Sequence, residues 1–213
     1  MTEPHDPETS AAAASSGDAA ATVSRVSRAL LDAALARAIT ALAHDRRNAL
    51  GVVSMQVEVI AVRAVSVTPD VAAIAASATV ASDHIERLAS MTNALIAFAQ
   101  GRTSSDLSVI ITELAALVPM RRVTTEVSQV VVVDVGPSLT RAVALEVLIL
   151  TLASRIAPTF AVTAHPGGAT LQVVSDAPLI PDESMEWVVQ FRKVGGRIES
   201  TGDGLRLQFP PIA

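Results

Sequence analysis

No cysteine occurs among the 213 residues of the chain. A disulfide framework, a zinc–thiolate site, an iron–sulfur cluster and a cysteine nucleophile are therefore excluded, and the composition suits a reducing compartment. Aromatic residues are scarce, at 2%, although half of the chain is hydrophobic and 38 residues are alanine. A core of that make-up must come from Ala, Val, Leu and Ile, which suits close-packed helices. Long apolar runs are missing too. The mean hydropathy is positive, yet residues 130–133 and 142–153 are too short or too interrupted for the ~20 residues of a membrane span. Residues 1–22 carry acids where a signal peptide needs a basic region, and no leucine-rich stretch follows. We expect a soluble, cytoplasmic protein of one ordinary domain or two small ones.

An excess of positive charge is also lacking. The formal net charge is −5, distributed as −4 over residues 1–21, +2 over 22–102 and −3 over 103–213. No segment is basic enough to make nucleic acid the expected partner.

The first 21 residues are Ala, Ser, Thr, Pro, Gly and acids without a hydrophobic period, and read as a disordered tail. From Val23 to about Val67 there is no proline, and Leu31, Leu35, Ala38, Leu42, Ala49, Val53 and Ile60 recur at steps of three, four or seven. That spacing predicts one long amphipathic helix of about 60–65 Å. Thr68-Pro69-Asp70 breaks it, and a second helix is expected from about Asp70 to Ala99, closed by Gly101 in the usual stop position. Two long helices joined by a short turn make an antiparallel hairpin. Its leftover apolar flanks are buried if two hairpins pair as a four-helix bundle, so a homodimer is expected.

Beyond residue 102 the pattern is helix (107–117), strand (123–135), helix (138–157), strands 160–164 and 169–175 around a Pro-Gly-Gly turn, helix (182–194), and strands 197–201 and 205–209 around Gly202-Asp203-Gly204. This is an α+β layer arrangement. The chain thus divides into a tail (1–21), a helical hairpin (22–102) and an α+β domain (103–213).

The run Ala41-Leu42-Ala43-His44-Asp45-Arg46-Arg47-Asn48-Ala49-Leu50 lies in the middle of the first helix. Positions three and four apart share a helix face, so His44, Arg47 and Asn48 project together, away from Leu42, Ala49 and Val53. Asp45, about 100° around the helix, can swing toward one nitrogen of His44. A carboxylate on one imidazole nitrogen fixes the tautomer and frees the other as a nucleophile. Asn48 can orient a water or a phosphoryl oxygen, Arg47 can meet a phosphoryl group's charge, and Gly51 removes bulk where another protein would dock. By chemistry alone, an exposed helical histidine beside an acid is usually plain surface.

His-Asp-x-x-Asn-x-Leu on the first helix of a long hairpin resembles the H-box of bacterial two-component sensor histidine kinases. The segments Ile85-Glu86-Arg87-Leu88 and Leu95-Ile96-Ala97-Phe98-Ala99 are similar to the end of that family's dimerisation hairpin. The resemblance implies that His44 accepts a phosphoryl group, that Asp45 acts as its base and that Asn48 supports dephosphorylation of the partner. Ala49 stands where the family usually has proline. Residues 103–213 resemble the family's ATP-binding domain in the order of elements and depart from it in the motifs. Thr151 and Arg155 occupy the places of two asparagines. Asp176 stands where an adenine-reading Asp would be, but Pro178 and Ile180 replace its glycines, and the lid is absent. Backbone amides of glycine-rich loops are what hold a triphosphate, so negligible ATP affinity is expected.

Such a departure resembles the dimeric histidine phosphotransferases, which pair this hairpin with a degenerate ATPase-like domain. The resemblance implies an ATP-independent relay between receiver-domain aspartates through His44. Receiver domains, and a hybrid sensor kinase, would be the partners, and the receiver would supply Mg²⁺, so the chain needs no cofactor of its own. Two alternatives stand beside it: a pseudokinase adaptor that binds receivers without accepting phosphate, and a phosphatase of phospho-receivers in which Asn48 outweighs His44. The remaining histidines, His5, His84 and His165, are too scattered for a metal site. Trp187, one turn from Phe191, is expected in the core of the α+β domain.

Overall fold

A computed structural model describes residues 7–101, 105–118, 123–127, 130–154 and 158–211, with side chains from residue 21. Five helices and one five-stranded sheet are found among the described residues: α1 (Pro7–Ala64), α2 (Val71–Gln100), α3 (Leu107–Ala116), β1 (Thr124–Val127), α4 (Pro137–Ala153), β2 (Thr159–His165), β3 (Gly168–Val174), α5 (Glu186–Lys193), β4 (Arg197–Thr201) and β5 (Gly204–Phe209). The sheet order is β1-β2-β3-β5-β4. β1 and β2 are parallel and every other pair is antiparallel. The parallel pair needs a crossover, and α4 supplies it. The fold is α+β with a mixed sheet.

α1 and α2 form the antiparallel hairpin. Asp70 caps α2, its carboxylate accepting the Ala73 N–H at 3.0 Å. Leu42 and Ala49 of α1 and Met91 and Phe98 of α2 are buried.

The largest departure concerns the upstream part of α1. Leu30, Leu31, Ala34, Leu35 and Ala38 are buried, and α1 packs on α4 nearly as extensively as it does on α2. The two helices run in the same direction, since Ser24 and Ser27 lie beside residues 136–138 while Arg37 bonds Glu146. The upstream part of the α1 stripe is thus packed on the chain's own α4 as well as within the hairpin. α4 packs on α1, α3 and α5 and is buried on almost every side, with Leu139, Ala142, Val143, Leu145, Val147 and Leu148 all inaccessible. Phe160, Leu171, Val173, Leu205, Leu207 and Phe209 form the sheet's buried face.

Further corrections have local causes. α1 begins at Pro7, so residues 7–21, read as part of a disordered tail, are helical; residues 1–6 lie outside the described set. This segment is alanine-rich, alanine is the strongest helix former, and a nucleated helix extends cheaply. The strand expected over 123–135 is limited to β1. Leu107 donates to the Val131 carbonyl at 2.8 Å and Val133 to that of Ser105 at 3.1 Å, so the valine run is held by the chain entering α3. α5 starts four residues later than expected because Asp182 closes a turn, accepting from the backbone and hydroxyl of Ser184. These bonds, the hydroxyl's first, hold the Asp182 carboxyl below its usual range.

Gly101 does end α2, for a different reason from the expected one. Its φ is −70°, outside the left-handed region. A Cβ at this position would lie 2.6 Å from Arg141 Nη2, and that guanidinium is pinned by Glu113 at 2.7 Å and the Phe98 carbonyl at 3.0 Å. Gly101→Ala is expected to cost about 1–3 kcal/mol by overpacking, read as a lower urea midpoint. A change within about 0.5 kcal/mol would show that the guanidinium yields.

Candidate functional site

The central third of α1 carries the candidate residues. Helical spacing puts Leu42 and Ala49 inward, and His44, Arg47 and Asn48 are exposed. The His44 side chain is 71% exposed and that of Asp45 only 18%. Asp45 Oδ1 lies 3.5 Å from His44 Nδ1, and Asn48 Nδ2 lies 3.2 Å from the same nitrogen. Both neighbours therefore converge on Nδ1, and Nε2 has no protein partner among the described residues. As placed, the Asn48 amide presents its Nδ2 donor to Nδ1. With that amide turned so that its oxygen faces the ring, Nδ1 carries the proton, Asn48 accepts it and the Asp45 carboxylate lies beside it. The lone pair then sits on the solvent-facing Nε2.

Arg47 stands one turn from His44, in solvent. At Gly51 nothing lies within 4 Å of where a Cβ would be, so the helix face beyond Asn48 is open. Arg37, bonded to Glu146 of α4, precedes His44 by seven positions, about 10 Å along the axis. The surface around His44 is accessible from the side away from α2.

The positions compared with nucleotide-binding motifs are disposed as follows. Thr151 is buried in α4 and its hydroxyl donates to the Leu148 carbonyl at 2.7 Å. Asp176, Pro178 and Ile180 are exposed in the segment after β3, where Ser175 donates its hydroxyl to the Ala177 carbonyl. Arg155 lies outside the described residues. No group of three or more His, Asp or Glu side chains able to hold a metal ion is found among the described residues. His165 faces Thr170 across the β2–β3 turn at 3.1 Å, and Trp187 is buried with Phe191, which meets Phe209 edge-on at 4.9 Å.

Two ion pairs that fix the frame of the site were not singled out in the sequence. Glu146, buried in α4, accepts from Arg37 Nε at 2.9 Å and also from its Nη2. Arg141, inaccessible to solvent, bonds Glu113 and the Phe98 carbonyl and stacks on the Phe98 ring at 4.9 Å. The available signal was two charges inside an apolar helix, which demand buried partners. Together they tie α4 to α1, to the end of α2 and to α3.

No family model and no curated protein matches the chain. Among solved structures, it is similar to a bacterial phosphotransferase, with 14% identity over 83% of this chain and 94% of the other and a TM-score of 0.45. It is similar also to the blue-light activated histidine kinase of Erythrobacter litoralis EL346, with 15% identity over 74% and 63% of the two chains and a TM-score of 0.38. The histidine kinase AdeS of Acinetobacter baumannii gives 13% identity over 78% and 97%, with a TM-score of 0.34. No helix among the described residues is long and apolar enough to cross a membrane.

Proposed function

We propose that the chain is an ATP-independent histidine phosphotransferase that relays a phosphoryl group between receiver-domain aspartates. The observation that carries this reading is the exposed His44 with Asp45 and Asn48 both on Nδ1 and Nε2 left open. In the first half-reaction Nε2 attacks the phosphorus of an aspartyl phosphate. The N–P bond forms as the P–O bond to the aspartyl carboxyl breaks, and the aspartate leaves as its carboxylate. The ring becomes a phosphoimidazolium that keeps its Nδ1 proton, and the Asp45 carboxylate stabilises the positive charge. Arg47 meets the phosphoryl oxygens. The second half-reaction reverses these steps onto another receiver's aspartate. The receiver's acidic pocket supplies the Mg²⁺.

Single-turnover transfer from a phosphorylated receiver, in Mg²⁺ and without ATP, tests the roles. Asp45→Asn is expected to slow labelling of the chain by about 10²-fold, since it removes the charge that stabilises the phosphoimidazolium, and Asn48→Ala by less. If Asn48→Ala instead stops loss of receiver phosphate to water while His44→Gln does not, the phosphatase reading replaces this one. Unlabelled chain with several receivers that it nevertheless binds would favour the adaptor.

The partner side of the reading includes a second copy. Leu50 and Val57 share one face of α1, away from the His44 face, and Val80 and Ile85 of α2 are exposed too, residues that pairing of two hairpins would bury. A particle of about 44 kDa, twice the 22.0 kDa chain, is expected in sedimentation equilibrium. Leu50→Glu combined with Ile85→Glu should shift it toward the monomer, and a wild-type monomer at tens of micromolar would contradict the dimer.

A further inference from the structure

On each helix of the hairpin an apolar stripe runs beside the face that closes the hairpin. On α1 it is Ile39, Ala43, Leu50, Val53 and Val57, at steps of four, seven, three and four. On α2 it is Ala78, Ile85, Ala89, Thr92 and Ile96, at steps of seven, four, three and four. Ile39, Leu50, Val57, Ile85 and Ile96 are exposed. Ile39 and Arg46 of α1 share a groove with Thr92 of α2, so the two stripes open on the same side of the hairpin. Heptad spacing of this kind makes the seam of a coiled coil or helical bundle.

A charge flanks each stripe on the side away from the hairpin. At about 100° per residue, Leu42 and Ala49 lie to one side of the α1 stripe and Arg47 about 80° to the other. On α2, Met91 and Phe98 lie to one side of the stripe and Glu86 about 80° to the other. Both charged residues are exposed, and neither takes part in an ion pair or hydrogen bond among the described residues. Arg47 stands 17 residues before the end of α1 at Ala64, and Glu86 15 residues after the start of α2 at Val71. Their heights along the hairpin therefore differ by about 3 Å. Arg46 lies on the stripe itself, in the groove with Met91 and Leu95 of its own α2. Glu58 shares the flank of Arg47 but stands at the height of the uncharged stretch 71–82 of α2.

We infer that the hairpin selects a second copy of this chain through two ion pairs, each between Arg47 of one copy and Glu86 of the other. The inference rests on the paired hairpins proposed above and names what fixes their partner and register. With the two-fold axis along the bundle, the α1 stripe of one copy meets the α2 stripe of the other, antiparallel and at unchanged heights. Arg47 and Glu86 then face each other across the edge of the seam. Opposite charges at such edge positions set partner choice and orientation, and like charges there exclude a partner. Arg47 is one turn from His44, so Glu86 of the second copy borders each His44 site.

The full chain is tested as two single variants, Arg47→Glu and Glu86→Arg, alone and mixed, at low salt, where exposed charges are least screened. In either variant both contacts become like-charged, and its dimer is expected to be about tenfold weaker or more in sedimentation equilibrium than that of the wild type. In a dimer of one variant with the other, each contact regains an Arg and a Glu. The mixed dimer should then exceed the one-half share of random pairing, read by native mass spectrometry, since the two variants differ in mass. Both substitutions in one chain should restore the wild-type dimer, which also shows that they leave the fold intact. Random pairing in the mixture, or single variants that dimerise as tightly as the wild type, overturns the ion pairs and leaves the dimer standing. A double variant that recovers while the mixture stays random places the pair within one chain and overturns the inference too. A monomeric wild type fails the dimer itself, and the inference with it.

Discussion

Replacing His44 with Gln is expected to abolish uptake of phosphoryl label from a phosphorylated receiver, by 10³-fold or more. A loss of that size corresponds to about 4 kcal/mol of transition-state stabilisation. Gln keeps the length and polarity of the side chain but offers no ring lone pair to attack phosphorus, so the covalent step itself is removed. The same substitution should hardly touch folding, because His44 is 71% exposed and surface changes away from special features stay within about 0.5 kcal/mol. Transfer rate and urea midpoint measured on one preparation separate the two effects. Residual labelling above about a tenth of wild type would move the acceptor to another residue.

The second large effect concerns stability. Arg141→Ala is expected to cost about 3 kcal/mol, the range for breaking a buried ion pair by removing one partner. Arg141 is inaccessible, bonds Glu113 at 2.7 Å and the Phe98 carbonyl at 3.0 Å, and stacks on the Phe98 ring. Its loss empties volume in the core, strips a carbonyl in the last turn of α2 of its donor and leaves Glu113 unpaired. Glu113, whose side chain is 29% exposed, can reach water, so Glu113→Ala should cost less. The double variant should fall short of the sum, because the two share one interaction. Urea denaturation at fixed protein concentration measures all three. A cost below about 1 kcal/mol for Arg141→Ala would show that the clamp does not hold α2 and α3 to α4.

Legibility in the sequence followed how local each cause is. Pro69 with Asp70 marked the hairpin turn, and Pro166-Gly167 and Gly202-Asp203 marked both β-turns, because turn chemistry acts within a few residues. The face shared by His44, Arg47 and Asn48 followed from helical spacing alone. Causes that lie far along the chain were not legible. Leu31, Leu35 and Ala38 show the right period for packing, but the period does not say that α1 packs on α4, a hundred residues on, as well as on α2. Gly101 read as an ordinary helix stop, whereas the structure places it where Arg141 leaves no room for a Cβ. The alanines before residue 21 lack an apolar period, which hid their helical propensity. Convergence of Asp45 and Asn48 on one nitrogen of His44 is a side-chain arrangement that spacing permits without requiring.

The most direct measurement is to mix the full chain with a phosphorylated receiver domain in Mg²⁺, without ATP, and determine where the phosphoryl group goes and how it is bonded. Acid-labile, alkali-stable label on this chain, assigned to Nε2 of His44 by ³¹P NMR with ¹⁵N-labelled histidine, is the expected result. Receiver phosphate that passes only to water, or stays where it was while this chain remains unlabelled, would contradict phosphotransfer through His44.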